Sequence, residues 1–177
     1  MRFPYVMKRV LAFSFATALV CSALAQDTTH MVGREAKSPG APGYLQVQNG
    51  DKAMAGAVDH ARQTLGFFVA ALKAQRPDTR DYEIKSTFVD GDQVEHIWIG
   101  EVSWDGKLFH GRINNKPLAV HNVRLGQRIT LEPRKVSDWM FLKDGKLMGG
   151  YTTRVLYARL SPEQKAEFAK EANFTIE

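Results

Sequence analysis

Residues 82–113, YEIKSTFVDGDQVEHIWIGEVSWDGKLFHGRI, decide the fold. Residues 82–89 are rich in β-branched and aromatic side chains and run into the turn formers Asp90-Gly91-Asp92. Residues 94–104 form a second such run, ended by Asp105-Gly106, a strong hairpin signal, and residues 108–113 form a third. Strands joined by turns this short pair antiparallel. Simple alternation along the second strand places Val94, His96, Trp98, Val102 and Trp104 on one face. It places Glu95, Ile97, Ile99, Glu101 and Ser103 on the other. Both faces carry large apolar groups, which predicts a central strand covered on both sides.

Upstream, the period changes. Met54, Ala57, Val58, Ala61, Leu65, Phe68, Val69 and Leu72 recur at three- and four-residue steps. This predicts one amphipathic helix over residues 52–74, N-capped by Asp51 and stopped before Pro77. Downstream, residues 119–123 read as a short edge element, 128–132 and 137–142 as strands, and Lys143-Asp144-Gly145-Lys146 as a hairpin turn. Residues 152–160 read as a short helix. Ser161-Pro162-Glu163-Gln164 is a capping box with proline at the first helical position, opening a helix to about residue 172. The expected class is α+β: an antiparallel meander packed by an N-terminal amphipathic helix, with a short C-terminal helix.

The two ends differ from this domain. Residues 1–25 carry Arg2, Lys8 and Arg9, then an uncharged apolar run, then Ala23-Leu24-Ala25. That order reads as a signal peptide cleaved after Ala25, and it predicts a periplasmic protein with no membrane anchor after cleavage. Cys21, the single cysteine, lies within the apolar run and leaves with it. Residues 26–50, with Ser38-Pro39-Gly40-Ala41-Pro42-Gly43, read as a flexible segment ahead of a single domain at 51–177. Of the 24 basic residues three leave with the signal, so 21 face 19 acids and the net charge of +5 falls to +2. No basic stripe is interleaved with aromatics, which argues against nucleic-acid binding.

Motifs for chemistry are sparse. No P-loop, dinucleotide fingerprint, serine elbow or S-x-x-K set is present, and no cofactor is expected. Three constellations remain. His96 as general base, oriented by Glu95 or Asp138 with Arg154 holding an anion, would make a small envelope-directed enzyme. His96 and His110, meeting across a hairpin, would make a metal site with Asp138. Trp98, Trp139 and Tyr151, with Thr152 beside them, would line a groove for a ligand or partner, although aromatics fill cores as readily.

Several separated motifs bear a resemblance. They are Tyr82-x-x-Lys85-x-x-Phe88-x-Asp90-Gly91-Asp92, Glu95-His96-Ile97-Trp98 and Phe109-x-Gly111-x-Ile113-Asn114-Asn115-x-Pro117. Val123-x-x-Gly126, Ser137-Asp138-Trp139-Met140 and Gly145-Lys146-x-x-Gly149-Gly150-Tyr151-Thr152-x-Arg154 follow in order. Over residues 52–157 the chain resembles the YegJ-like bacterial family, a domain of unknown function. The resemblance implies a compact domain and transfers no catalytic residue. With no catalytic motif, the first expectation is a periplasmic binding or interaction module, of inhibitor or immunity type among other forms. Its partner would be another periplasmic protein or an envelope component.

Overall fold

The computed structural model describes residues 51–177, so the expected signal peptide and the segment at 26–50 lie outside the described residues. The domain is α+β. Six strands form one antiparallel sheet: β1 (Thr79–Asp90), β2 (Gln93–Trp104), β3 (Phe109–Ile113), β4 (Arg128–Leu131), β5 (Val136–Lys143) and β6 (Lys146–Gly149). Their spatial order is β4-β3-β2-β1-β5-β6. The first three strands fall where the turn residues placed them. No strand forms over 119–123; that stretch is an irregular loop beside β2.

The expected N-terminal helix is two helices, α1 (Lys52–Gln63) and α2 (Leu65–Ala74). Asp51 caps α1 through the amides of Ala53 and Met54. Thr64 separates the two. Its hydroxyl donates back to the His60 carbonyl at 2.7 Å, a side-chain bond that competes with the helical ladder and bends it. The bend has a use: the indole N–H of Trp139 donates to the Ala61 carbonyl at 2.9 Å. Two further helices close the chain, α3 (Tyr151–Ala158) and α4 (Pro162–Glu171), the latter with its capping box formed.

Helices α1 and α2 cover one face of the sheet. Ala61, Phe68 and Leu72 pack there on Ile84, Ile97, Ile99, Phe109, Val136, Trp139 and Phe141. The second face carries a smaller cluster, Met140, Leu142 and Leu147, overlaid by Trp98, Phe174 and Ile176. β5 is buried along nearly its whole length, being covered on both sides. Among the described residues, no helix is long and apolar enough to cross a membrane.

Simple alternation fails in β2. The register slips between Gly100 and Ser103, and Glu101 adopts a left-handed φ of 49°. One extra residue in a strand reverses the facing of all that follow. Val102 and Trp104 therefore join the helix-side core with Ile97 and Ile99, not the face of His96 and Trp98. A second bulge lies in β1 between Arg80 and Glu83, where Asp81 has φ 53°.

Candidate functional site

The second face of the sheet gathers the polar groups. Lys85 on β1 lies opposite Trp98 of β2 on one side and Asp138 of β5 on the other. Asp138 is fully buried. Its carboxylate accepts the amides of Trp139 at 2.8 Å, Tyr151 at 3.1 Å and Thr152 at 2.8 Å, and the Thr152 hydroxyl at 2.6 Å. Two of those amides open α3, so the acid satisfies donors that a helix start leaves unpaired. The Lys85 ammonium donates to the Thr152 hydroxyl at 2.9 Å and stands 4.6 Å from the centre of the Trp98 ring, a cation–π contact. Burial pushes the Asp138 carboxyl up, opposed by the Lys85 charge and by the Thr152 hydrogen bonds. Burial pushes the Lys85 ammonium down, opposed by the charge of Asp138. The cluster couples three elements, β1, β5 and the start of α3.

The expected catalytic constellation is not assembled. His96 sits at the exposed rim of this face, its ring 3.3 Å from the Thr87 hydroxyl. Desolvation by its packed side, and then the charge of Lys85, hold it below the usual imidazole range. Asp138 is committed to α3, and Glu95 points away on the opposite face. Glu95 instead accepts the amides of Leu118 and Ala119, each at 2.9 Å, and of Val120 at 3.3 Å. Arg154 is engaged by the backbone: it donates to the carbonyls of Gly149 and Leu147 and to a backbone oxygen of Glu177.

The other two constellations are corrected as well. His96 lies opposite Thr87, whereas His110 lies opposite Ser103 seven residues further along β2, so the histidines do not meet. His110 pairs with Asp105 at 2.7 Å, which draws the Asp105 carboxyl down to about 2. Among the described residues, no three His, Cys, Asp or Glu side chains stand where they could hold a metal ion. The aromatic groove does not form from Trp98, Trp139 and Tyr151. Trp139 is in the helix-side core with Tyr151 edge-on at 5.6 Å, and Trp98 is on the other face.

Sequence reasoning missed Lys85, Glu83 and Asn114. Glu83, two residues before Lys85 on the same face, is buried; its Oε1 accepts from the side-chain Nδ2 of Asn114 at 2.7 Å and its Oε2 has no partner. Burial first, then the nearby Asp81, raises its carboxyl to about 7, against the Asn114 hydrogen bond. The available signal was a pair of charges, Glu83 and Lys85, bracketing Ile84 in a strand, matched by Asp138 beside Trp139.

The loop at 114–122 binds this face to the β1–β2 hairpin end. The Asn114 amide donates to the Trp98 carbonyl, and the Asn115 side chain accepts the Trp98 amide, both at 2.9 Å. Asp90 accepts the His121 amide at 2.8 Å, and Asn122 donates to the Val89 carbonyl at 2.7 Å. At that end Val89 and Val94 face each other and are exposed by 57% and 46%; Leu118, on the stretch that Glu95 holds, is exposed by 45%.

An antiparallel sheet with helices on one face and a buried Lys–Thr–Asp cluster on the other defines a small α+β domain. The chain belongs to the bacterial family described as "Uncharacterized protein conserved in bacteria (DUF2314)", whose model matches residues 51–176. It is similar to "Uncharacterized protein YegJ" of Escherichia coli K12, 32% identical over 116 residues, covering 66% of this chain and 74% of that protein. It is also similar to a Neisseria meningitidis serogroup B protein named "Putative ankyrin repeat protein NMB1133/NMB1171". That match is 30% over 129 residues and covers 68% of this chain, which spans about half the length of that relative (51%). No solved structure matches.

Proposed function

We propose that the protein is an exported, periplasmic binding module, non-catalytic, that engages another envelope protein through the β1–β2 hairpin end. The observation that carries the reading is the construction of that end. Val89, Val94 and Leu118 are apolar and exposed, yet the backbone beneath them is fixed by Glu95, Asp90 and Asn122. Fixing exposed apolar groups in advance lowers the ordering cost of association. The polar residues that suggested chemistry are spent on structure: Glu95 on the loop, Asp138 on α3, Arg154 on backbone carbonyls. The name of the Neisseria relative adds support, because ankyrin repeats stack into extended binding surfaces. Export rests on residues 1–25.

Export is tested by expressing the chain with its own first 25 residues and releasing the periplasm by osmotic shock. The reading requires a released species with the mass of residues 26–177. A full-length mass confined to the cytoplasm or membrane contradicts it.

A further inference from the structure

Glu83 is the one described residue with a buried side-chain oxygen that lacks any partner. Bulges flank it on its own strand at Asp81 and on the neighbouring strand at Glu101, both in left-handed backbone that non-glycine residues seldom adopt. Bulges disrupt the ladder locally and re-aim the side chains beside them, so the pairing on either side of Glu83 is interrupted. Asn114, which donates to Glu83, is seated against Gly100 so closely that a Cβ there would come within 3.2 Å of its Cγ. Asn114 also opens the loop that carries Leu118.

The charges around Glu83 leave an ionised carboxylate poorly served. On its own strand, Asp81 is a like charge, and Lys85 is committed to Thr152 and the Trp98 ring. From β5, Met140 stands opposite and Asp138 faces Thr152. From β2, Glu101 is paired with Arg112. Asn114 alone donates, to an anion that can accept about four hydrogen bonds.

We propose that Glu83 is a proton-operated latch on the hairpin-end surface: neutral, it stays buried and holds Asn114; ionised, it leaves the second face and frees the loop at 114–122. The proposal rests on the binding reading for its purpose, since the loop presents Leu118. Burial lifts the acid's titration to about 7, which puts the latch within reach of ordinary changes in external pH. Between about 4.5, where the exposed carboxyl titrates, and about 7, opening gains about tenfold per pH unit, and above that it levels off.

Amide hydrogen exchange, corrected for its intrinsic pH dependence, tests the latch in the native protein. Protection of Leu118, Ala119 and Val120 should fall about tenfold between about pH 5.5 and 6.5 and level off above about 7. In Glu83→Gln, which keeps an acceptor for Asn114, it should not change with pH. Glu95 and Asp90 are intact in that variant, so the difference reads Glu83. Identical profiles in both proteins overturn the proposal. Should Glu83→Gln fail to fold, the carboxyl-carbon resonance of Glu83 in the unaltered protein decides: titration near 7 together with loop opening upholds the latch, and titration in the ordinary carboxylate range refutes it. No partner enters the experiment, so a failed latch and a failed binding surface are distinguishable.

Discussion

Replacing Asp138 by asparagine keeps the shape of the side chain and removes its charge. One oxygen remains for the amides of Trp139 and Tyr151. An NH2 group then confronts the Thr152 amide, donor against donor, and the Thr152 hydroxyl loses its acceptor. The Lys85 ammonium loses its counter-charge in a buried site. Breaking one side of a buried pair costs about 3–5 kcal/mol, and orphaned buried donors cost about 1–3 kcal/mol each, with overlap between the two effects. We expect Asp138→Asn to destabilise the domain by about 4 kcal/mol in urea unfolding at pH 7, with an unchanged m-value. Lys85→Met should cost about 2 kcal/mol, because Asp138 keeps four donors. The double variant should fall short of the sum by about 2 kcal/mol, the signature of direct coupling. Thr152→Val removes the bridging hydroxyl and should cost about 1–2 kcal/mol, which leaves a folded variant to measure if Asp138→Asn unfolds. A loss below about 1 kcal/mol for Asp138→Asn, with additive singles, would refute the assignment of this cluster as the organiser of the second face.

Three further outcomes follow from the same geometry. Glu83 ionises near 4.5 in the unfolded chain and at about 7 in the folded one, so the folded state binds more protons between those values. Its contribution is therefore fully present below about 4.5 and lost as pH rises through 7, a fall of about 3 kcal/mol that Glu83→Gln should abolish in a stability-versus-pH series. Gly149→Ala should cost about 3 kcal/mol or more and fail to melt cooperatively near the parent temperature, because φ is 70° and a Cβ would overlap the Trp139 carbonyl and ring. His96→Ala should change stability by no more than about 1 kcal/mol and leave retention of the envelope partner intact, since its one side-chain hydrogen bond is with Thr87 at the rim; a melting point many degrees lower would return His96 to a structural role.

The sheet was legible because its turns announce themselves: Asp90-Gly91-Asp92, Asp105-Gly106 and Asp144-Gly145 separate strands by fixed short counts. The capping box at Ser161 and the cap at Asp51 were legible for the same local reason. What escaped depends on tertiary contacts. The break at Thr64 follows from a hydroxyl turned onto its own helix and an indole reaching Ala61. The bulge at Glu101 carries no glycine or proline at the bulged residue itself, so alternation was carried across it and Val102 and Trp104 were put on the wrong face. The structural partners of the residues suspected of chemistry could not be read in one dimension, because a polar side chain that caps a helix or a loop looks there like one that faces a substrate. Asp138, Glu95 and Arg154 all satisfy backbone groups, and those partners lie between 5 and 25 residues away in sequence except for the neighbouring Trp139 amide.

The central claim is that the hairpin end binds a protein of the envelope. Residues 26–177, immobilised at the C-terminus, would be offered to a periplasmic extract beside the variant Val89→Asp/Leu118→Asp, and the retained species quantified by mass spectrometry. Both positions are exposed, so the variant should melt with the parent. The account predicts a defined protein retained by the parent, lost by at least tenfold on the variant, and bound by the parent again when purified. Equal retention by the two proteins, or none by either, would contradict it.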